Sequence, residues 1–450
     1  MNTSARGAWT SKLGFVLAAA GSAIGLGNIW RFPYVTGMQG GAAFVVVYLA
    51  CVFAIGVPVM IAELTLGRHT ALNPVGAIRA VSKSRWWPLV GYLGVVTGVG
   101  ILSYYAVIAG WTVGFIVRTL SHSESSFESF VAEPTVGIGY FALFLILTAG
   151  VVVGGIERGI ERWTKILMPL LFLILLGLIV FSLTLEGASK GIEFYLKPDL
   201  SKIRGSTVLA ALGQAFFSLS LGMGTMITYG SYISKRENIP VAAVSVGLAD
   251  TLIAVLAGLV IFPALFSVGE APTAGPGLVF KVFPKIFEMM PGGTIVGVFF
   301  FVLLAIAALT STVSLLEVPV AFLVDQRKWS RRKAVVIVTA LVFVVGLPSA
   351  LSQGTVSFLS SVAWPVIGGF LDQMDFIFGQ FSLCLGGLLL AILVGWVWGA
   401  RKACAELLIG AGSRYAALAP GWAFMIKYVC PITIILVLLN VTGVFGWLFP

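Results

Sequence analysis

Residues 12–35 combine two things that seldom share an apolar run: glycines grouped in its middle, Gly21, Gly25 and Gly27, and an amide and a charge near one end, Asn28 and Arg31. The run is long enough to cross a bilayer at about 1.5 Å per residue. Each interior glycine costs a helix about 1 kcal/mol relative to alanine, so the stretch predicts a helix that breaks. Lipid cannot hydrogen-bond an opened backbone, and such a break survives only where it lines a protein cavity. Gly21 and Gly25 also form a small-xxx-small packing pair, but packing explains neither Asn28 nor Arg31. The expectation is a broken helix whose freed carbonyls and amides bind an ion and a solute. No His/Ser/Asp or metal-hydrolase constellation lies in the apolar runs, so an enzyme is not expected.

A second stretch repeats the design. Gly222-Met-Gly-Thr225 stands against Gly25-Leu-Gly-Asn28: each is Gly-x-Gly followed by a small polar residue. As a nucleotide loop the motif fails, because no strand precedes it and no third glycine follows at the right distance. Two interrupted helices at corresponding places in two halves point to an inverted-repeat transporter with its site between the breaks.

The elements that must position these groups are membrane helices. With 59% hydrophobic and 10% charged residues and a mean hydropathy of +1.03, the chain is unlike a soluble domain. Apolar runs near 12–35, 42–66, 87–119, 136–154, 164–185, 207–233, 240–266, 293–324, 334–352, 372–398 and 421–447 predict an all-α polytopic membrane protein with eleven spans. We read 1–450 as one transport domain: a five-helix repeat over 12–185, a second over 207–398 and an additional helix at 421–447. The polar 1–11 leads straight into a long span, so no cleavable signal is expected. Cys51, Cys384, Cys404 and Cys430 have no metal-ligand spacing.

The net charge of +10 reflects orientation rather than a nucleic-acid partner. With the N-terminus in the cytoplasm, twenty of the 28 Lys and Arg fall inside or near inner helix ends and seven outside, Arg31 being the remaining one. That bias predicts a multi-pass protein of the inner (plasma) membrane, N-terminus in and C-terminus out. Residues 120–135 read as a polar outer loop with a solvated His122, and 267–292 as an outer lid of short helices. The basic 68–85, ending in Trp86-Trp87, reads as an interfacial helix with an aromatic anchor.

Gly21-Ser-Ala-Ile-Gly-Leu-Gly-Asn-Ile-Trp-Arg-Phe-Pro33, Gln214-Ala-Phe-Phe-Ser-Leu-Ser-Leu-Gly-Met-Gly224 and Ala307-Ala-Leu-Thr-Ser311 resemble the sodium-coupled neurotransmitter/amino-acid symporter family. The similarity spans essentially the whole chain and lies nearest the bacterial eleven-span, multi-hydrophobic amino-acid transporters. It implies an inverted five-plus-five repeat with helices 1 and 6 broken. It also implies import of a neutral, mainly hydrophobic L-amino acid with sodium by alternating access. A channel or a receptor is the competing class; conduction uncoupled from solute, or binding without accumulation, would mark them.

The resemblance assigns two sodium ions. One would take Ala23, Asn28, Ser218 and Asp250, completed by the substrate carboxylate; the other Gly21, Ile24, Ala307, Thr310 and Ser311. Unwound backbone suits a hard monovalent cation because it supplies oxygens without added charge. The amides of Leu26 and Gly27 and the hydroxyl of Tyr105 would hold an α-carboxylate, with carbonyls near Ala23, Phe217 and Ser220 for the ammonium. Ser22, Ile101, Phe217, Met223 and Leu315 would wall the side chain, and Ser218 would also touch the solute. Gly25 stands where amine-carrying relatives have an aspartate, which favours a solute that brings its own carboxylate. Arg31 and Asp375, with Gln214 and Phe217, would form an outer gate; Arg6, Trp9, Tyr232 and Asp325 an inner one. Glu63 and Glu317 read as structural. Asp250 followed by Ala254 implies transport without chloride, since relatives that need the anion have a neutral residue and then a serine there. Gly159 and Pro169 would let the fifth span unwind at its inner end.

Overall fold

Capping residues fix where several helices begin. In the computed structural model, which describes residues 8–122, 126–269, 278–289, 292–362, 368–412 and 415–444, Ser11 Oγ accepts from Gly14 N at the head of α1 (Lys12–Ala23). Asn73 and Asn238 do the same for α4 (Pro74–Val81) and α10 (Ile239–Ser267). Between these lie α2 (Gly27–Met38), α3 (Ala42–Thr70), α5 (Pro88–Leu120), α6 (Pro134–Val153) and α7 (Ile156–Leu183). The pair α8 (Gly205–Ser218) and α9 (Thr225–Gly230) precedes α10. Then follow α11 (Gly293–Arg327), α12 (Arg331–Leu351), α13 (Phe370–Val397), α14 (Ala400–Leu407) and α15 (Ala419–Val441). The described residues contain no β-strand beyond one isolated bridge, Val362 to Gly368.

Nine of these helices are long and apolar enough to cross a membrane, ten if the bent pair α1–α2 counts as one span. The predicted span 207–233 divides into helices of 14 and 6 residues, each too short alone. The bundle is arranged around α5, whose most apolar window is 83% buried, against 33% for α7 and α15. Peripheral helices turn Ile146, Leu173 and Val180 outward, each more than 60% exposed. Such faces belong against hydrocarbon, not water.

One expectation is corrected. Helix α7 begins at Ile156, eight residues before the predicted start, because its first turn is a π-turn (Ile156–Glu161) whose Glu161 is internally partnered and buried. Helix α4 packs one face inward: Pro74, Val75, Ala77 and Ile78 are buried, while Arg79 is exposed. It packs so closely on α5 that a Cβ at Gly91 would sit 2.6 Å from Val75 Cα.

Candidate functional site

Both predicted breaks form, and they meet. Helix α1 ends at Ala23, and α2 leaves at a 48° bend. Between α8 and α9 the backbone turns through Ser220, Gly222 and Gly224 at φ 55°, 81° and 78°. A non-glycine residue at positive φ is strained; Ser220 is held there by donating Oγ to Ser22 O across the gap at 2.9 Å. Glu63, as expected, is structural: it accepts from Gly222 N at 2.7 Å. Gly222 admits no side chain, since a Cβ would lie 2.1 Å from Leu383 O.

The breaks flank a small cleft lined by Ser22, Ala23, Gly25, Gly27, Ile101, Tyr105, Phe217, Ser218, Ser220, Met223, Ser311, Leu315 and Leu383. Of the eleven residues expected to touch a solute, ten line it; the eleventh, Leu26, donates its amide to Tyr105 Oη at 2.8 Å just behind the wall. A Cβ on Gly25 would fall 2.4 Å from Ser311 Oγ and 2.7 Å from Tyr105 Oη. A side chain here would have to displace both hydroxyls.

Beyond Ser218 lies Asp250, fully buried. Its carboxylate accepts from Asn28 Nδ2 at 2.8 Å, from Ser218 Oγ at 2.8 and 2.9 Å, and from Tyr48 Oη at 3.2 Å. Asn28 Oδ1 meanwhile accepts from Gly25 N at 3.0 Å. Three elements thus bring neutral hydroxyl and amide groups to one carboxylate, with no cationic side chain within 4 Å among the described residues. The second expected set also converges. Thr310 Oγ1 reaches Ala307 O at 3.0 Å and Ile24 O at 3.4 Å, Ser311 Oγ reaches Ser22 O at 3.3 Å, and Gly21 lies against Thr310. These are hard oxygen donors, suited to an alkali ion rather than a transition metal.

The gates are placed less simply. Arg31 and Asp375 make no direct ion pair. The guanidinium stands 4.7 Å over the Phe217 ring with Nη1 3.4 Å from Gln214 Oε1. Asp375 instead accepts from Tyr104 Oη at 2.8 Å and Gln380 Nε2 at 2.9 Å. Gln214 donates its amide to Gly27 O at 2.9 Å, so it holds the break in α2 as well as facing Arg31. At the opposite end, Trp9 Nε1 donates to Tyr229 O and its ring meets Tyr232 edge-on. Tyr232 donates to Glu317, which also pairs with Arg331, and Asp325 accepts from Asn73 N and Nδ2. Arg6 lies outside the described residues.

Sequence reasoning missed Leu383 and did not count Gly25 or Ser311 as cleft wall. Leu383 carries no motif; its only signal was the neighbouring Gly386-Gly387, where α13 approaches the break at Gly222.

Discontinuous helices that expose polar backbone to a small buried cleft define a multi-pass membrane transporter, not an enzyme. The chain belongs to the sodium:neurotransmitter symporter family, whose profile matches residues 6–129 and 136–446. It is 38% identical to an uncharacterized sodium-dependent transporter, YhdH, of Bacillus subtilis over 98% of both chains. Human sodium- and chloride-dependent GABA transporter 2 is 27% identical over 97% of this chain and 81% of its own. Among solved structures, that of MhsT in complex with L-phenylalanine matches with a TM-score of 0.88 and 44% identity, over 97% of this chain and 100% of the other. Sodium use follows with the family.

Proposed function

We propose that the protein is a sodium-coupled, chloride-independent importer of neutral, mainly hydrophobic L-amino acids. It would work by alternating access with two sodium ions, its eleven spans arranged as an inverted repeat and its N-terminus inside. The observation that carries this is the shared wall at Ser218. On one side that residue lines the cleft, and on the other it bonds Asp250, a buried carboxylate with only neutral partners. A sodium ion there answers the uncompensated charge, and a substrate carboxylate reaching over Ala23 completes its oxygen shell. Tyr105 and Gly27 line the side where the other oxygen of that carboxylate would lie, and the Leu26 amide, now donated to Tyr105 Oη, would turn to it, with Ile101, Phe217, Met223 and Leu315 around an apolar side chain. The neighbouring structure's L-phenylalanine is a solute of this chemistry.

Gly25 supports an amino acid over a bare amine, because an acidic side chain would have to displace the hydroxyls of Tyr105 and Ser311. Asp250 argues against chloride: an anion 4 Å from it meets repulsion of roughly 4 kcal/mol at an effective dielectric of about 20. Ala254, one turn on, has no hydrogen bond to offer an anion. Proteoliposome uptake of labelled phenylalanine should need an inward sodium gradient and continue when gluconate replaces chloride. Loss of uptake in gluconate overturns chloride independence, and accumulation without sodium overturns the symport. Asp250→Asn with Ala254→Ser should acquire a need for chloride.

A further inference from the structure

Glu161 is a buried carboxylate that the solute and ion sites do not use. It closes the π-turn of α7 (Ile156–Glu161), is 1% exposed, and reaches across to the chain just ahead of α1. There it accepts from Thr10 N at 2.8 Å, from Thr10 Oγ1 and from Ser11 Oγ at 3.0 Å; Lys165 Nζ on its own helix completes the set at 2.7 Å. Ser11 is also the residue that caps α1. The fit depends on Gly14, since a Cβ there would fall 2.0 Å from Glu161 Oε1.

The backbone on either side of this contact is built to give way. Gly155 sits at φ 76°, and a Cβ on Gly159 would lie 2.2 Å from Val151 O, so the turn entering α7 is held by packing rather than by regular helix. Pro169, inside α7, removes one helical hydrogen bond. From the other side, Trp9 packs its ring on Phe15, Tyr229 and Tyr232, tying the same short segment to α9.

We propose that Glu161 is a positioning residue for transport, a clasp that makes opening of the first turns of α7 and release of the start of α1 one cooperative event. The proposal rests on the alternating-access reading above. A buried carboxylate with four donors leaves costly orphans if only some are lost. When the π-turn opens, Glu161 withdraws, and the Thr10 amide and Ser11 hydroxyl lose their acceptor. When α1 swings out first, Glu161 keeps only Lys165 and its turn loosens.

Hydrogen exchange on the full-length protein in nanodiscs tests this through Glu161→Gln, Gly14→Ala and the double variant. Glutamine keeps the shape and removes the charge, whereas the alanine methyl pushes the intact carboxylate away. Each single change should speed exchange at least threefold in both 8–23 and 154–168, leaving 239–267 unaltered. The double variant should be no faster than the faster single, within twofold, because both break one contact. Acceleration confined to one segment, or effects that multiply in the double, overturns the clasp. Should Glu161→Gln fail to fold, Gly14→Ala decides alone by whether both segments respond. Exchange is read without transport, so a parent protein lacking sodium-driven uptake would refute the transport reading and leave this test standing.

Discussion

Two buried carboxylates in this chain have opposite company. Asp250 is met by an amide, a serine hydroxyl and a tyrosine hydroxyl. Glu406, on α14, is met by three basic side chains: Arg68 Nε at 3.0 Å, His69 Nδ1 at 3.0 Å and Lys235 Nζ at 2.7 Å. Arg68 further donates to the carbonyls of Glu237 and Ile409, so this knot ties the end of α3 to two loops. Burial alone would raise Glu406, yet the hydrogen bonds from Lys235 and His69 and the charges of Lys235 and Arg68 hold it below the usual carboxylate range. The contrast separates two uses of charge inside a bundle. Where the protein supplies the cations, the carboxylate staples the fold; at Asp250, where it supplies only neutral donors, the proposed sodium ion would be the partner.

The sharpest way to break that contrast is Asp250→Asn. Removing the charge should weaken sodium-dependent binding of labelled phenylalanine by more than a hundredfold, from the roughly 3 kcal/mol that a buried charge interaction contributes. Unchanged sodium dependence, measured by scintillation proximity, would remove Asp250 from the ion site. Asn28→Ala should follow at over tenfold, from the loss of one buried ligand worth roughly 1–3 kcal/mol; binding with the parent's sodium dependence sinks that assignment.

Glu406→Gln should do the reverse of both. Leaving the Arg68 guanidinium buried without its carboxylate should cost about 3 kcal/mol of stability, seen as a lower thermal midpoint. Sodium affinity should stay within about twofold, because the two regions share no partner. A tenfold change in sodium affinity would show that they are coupled. The same residue predicts a pH signature. Its folded value lies below its unfolded one, so its contribution is complete above the ordinary carboxylate range of about 4.3. That contribution is lost as pH falls through the lower folded value. The midpoint difference between parent and Glu406→Gln should hold from pH 8 to 5 and close under stronger acid. A difference that closes between pH 8 and 6 contradicts the assignment.

The smallest effect concerns shape alone. Met223→Phe should reduce competition by tryptophan several-fold while sparing small aliphatic amino acids, since overpacking a well-filled wall costs about 1–3 kcal/mol. A panel of unlabelled amino acids against labelled phenylalanine reads this directly, and failure of tryptophan to compete in the parent would contradict a broad pocket.

Much of this protein was legible without coordinates because lipid enforces simple rules. Apolar runs must be helices, and glycine with Asn28 and Arg31 inside one must mean a break that lines a cavity. The break at Gly222 and Gly224, the helix boundaries to within a few residues and ten of the cleft residues follow from such local constraints together with the family resemblance. What only the tertiary structure decided depends on which side chains are neighbours across the bundle. Glu161 extends α7 by eight residues because Thr10 and Ser11, some 150 positions away in the chain, satisfy it. Asp375 answers to Tyr104 and Gln380 rather than directly to Arg31, and Leu383 becomes cleft wall because α13 presses on a glycine in the break between α8 and α9. Local sequence sets where a helix forms and where it fails. The partner of a buried polar group is set by long-range packing, which no short motif encodes.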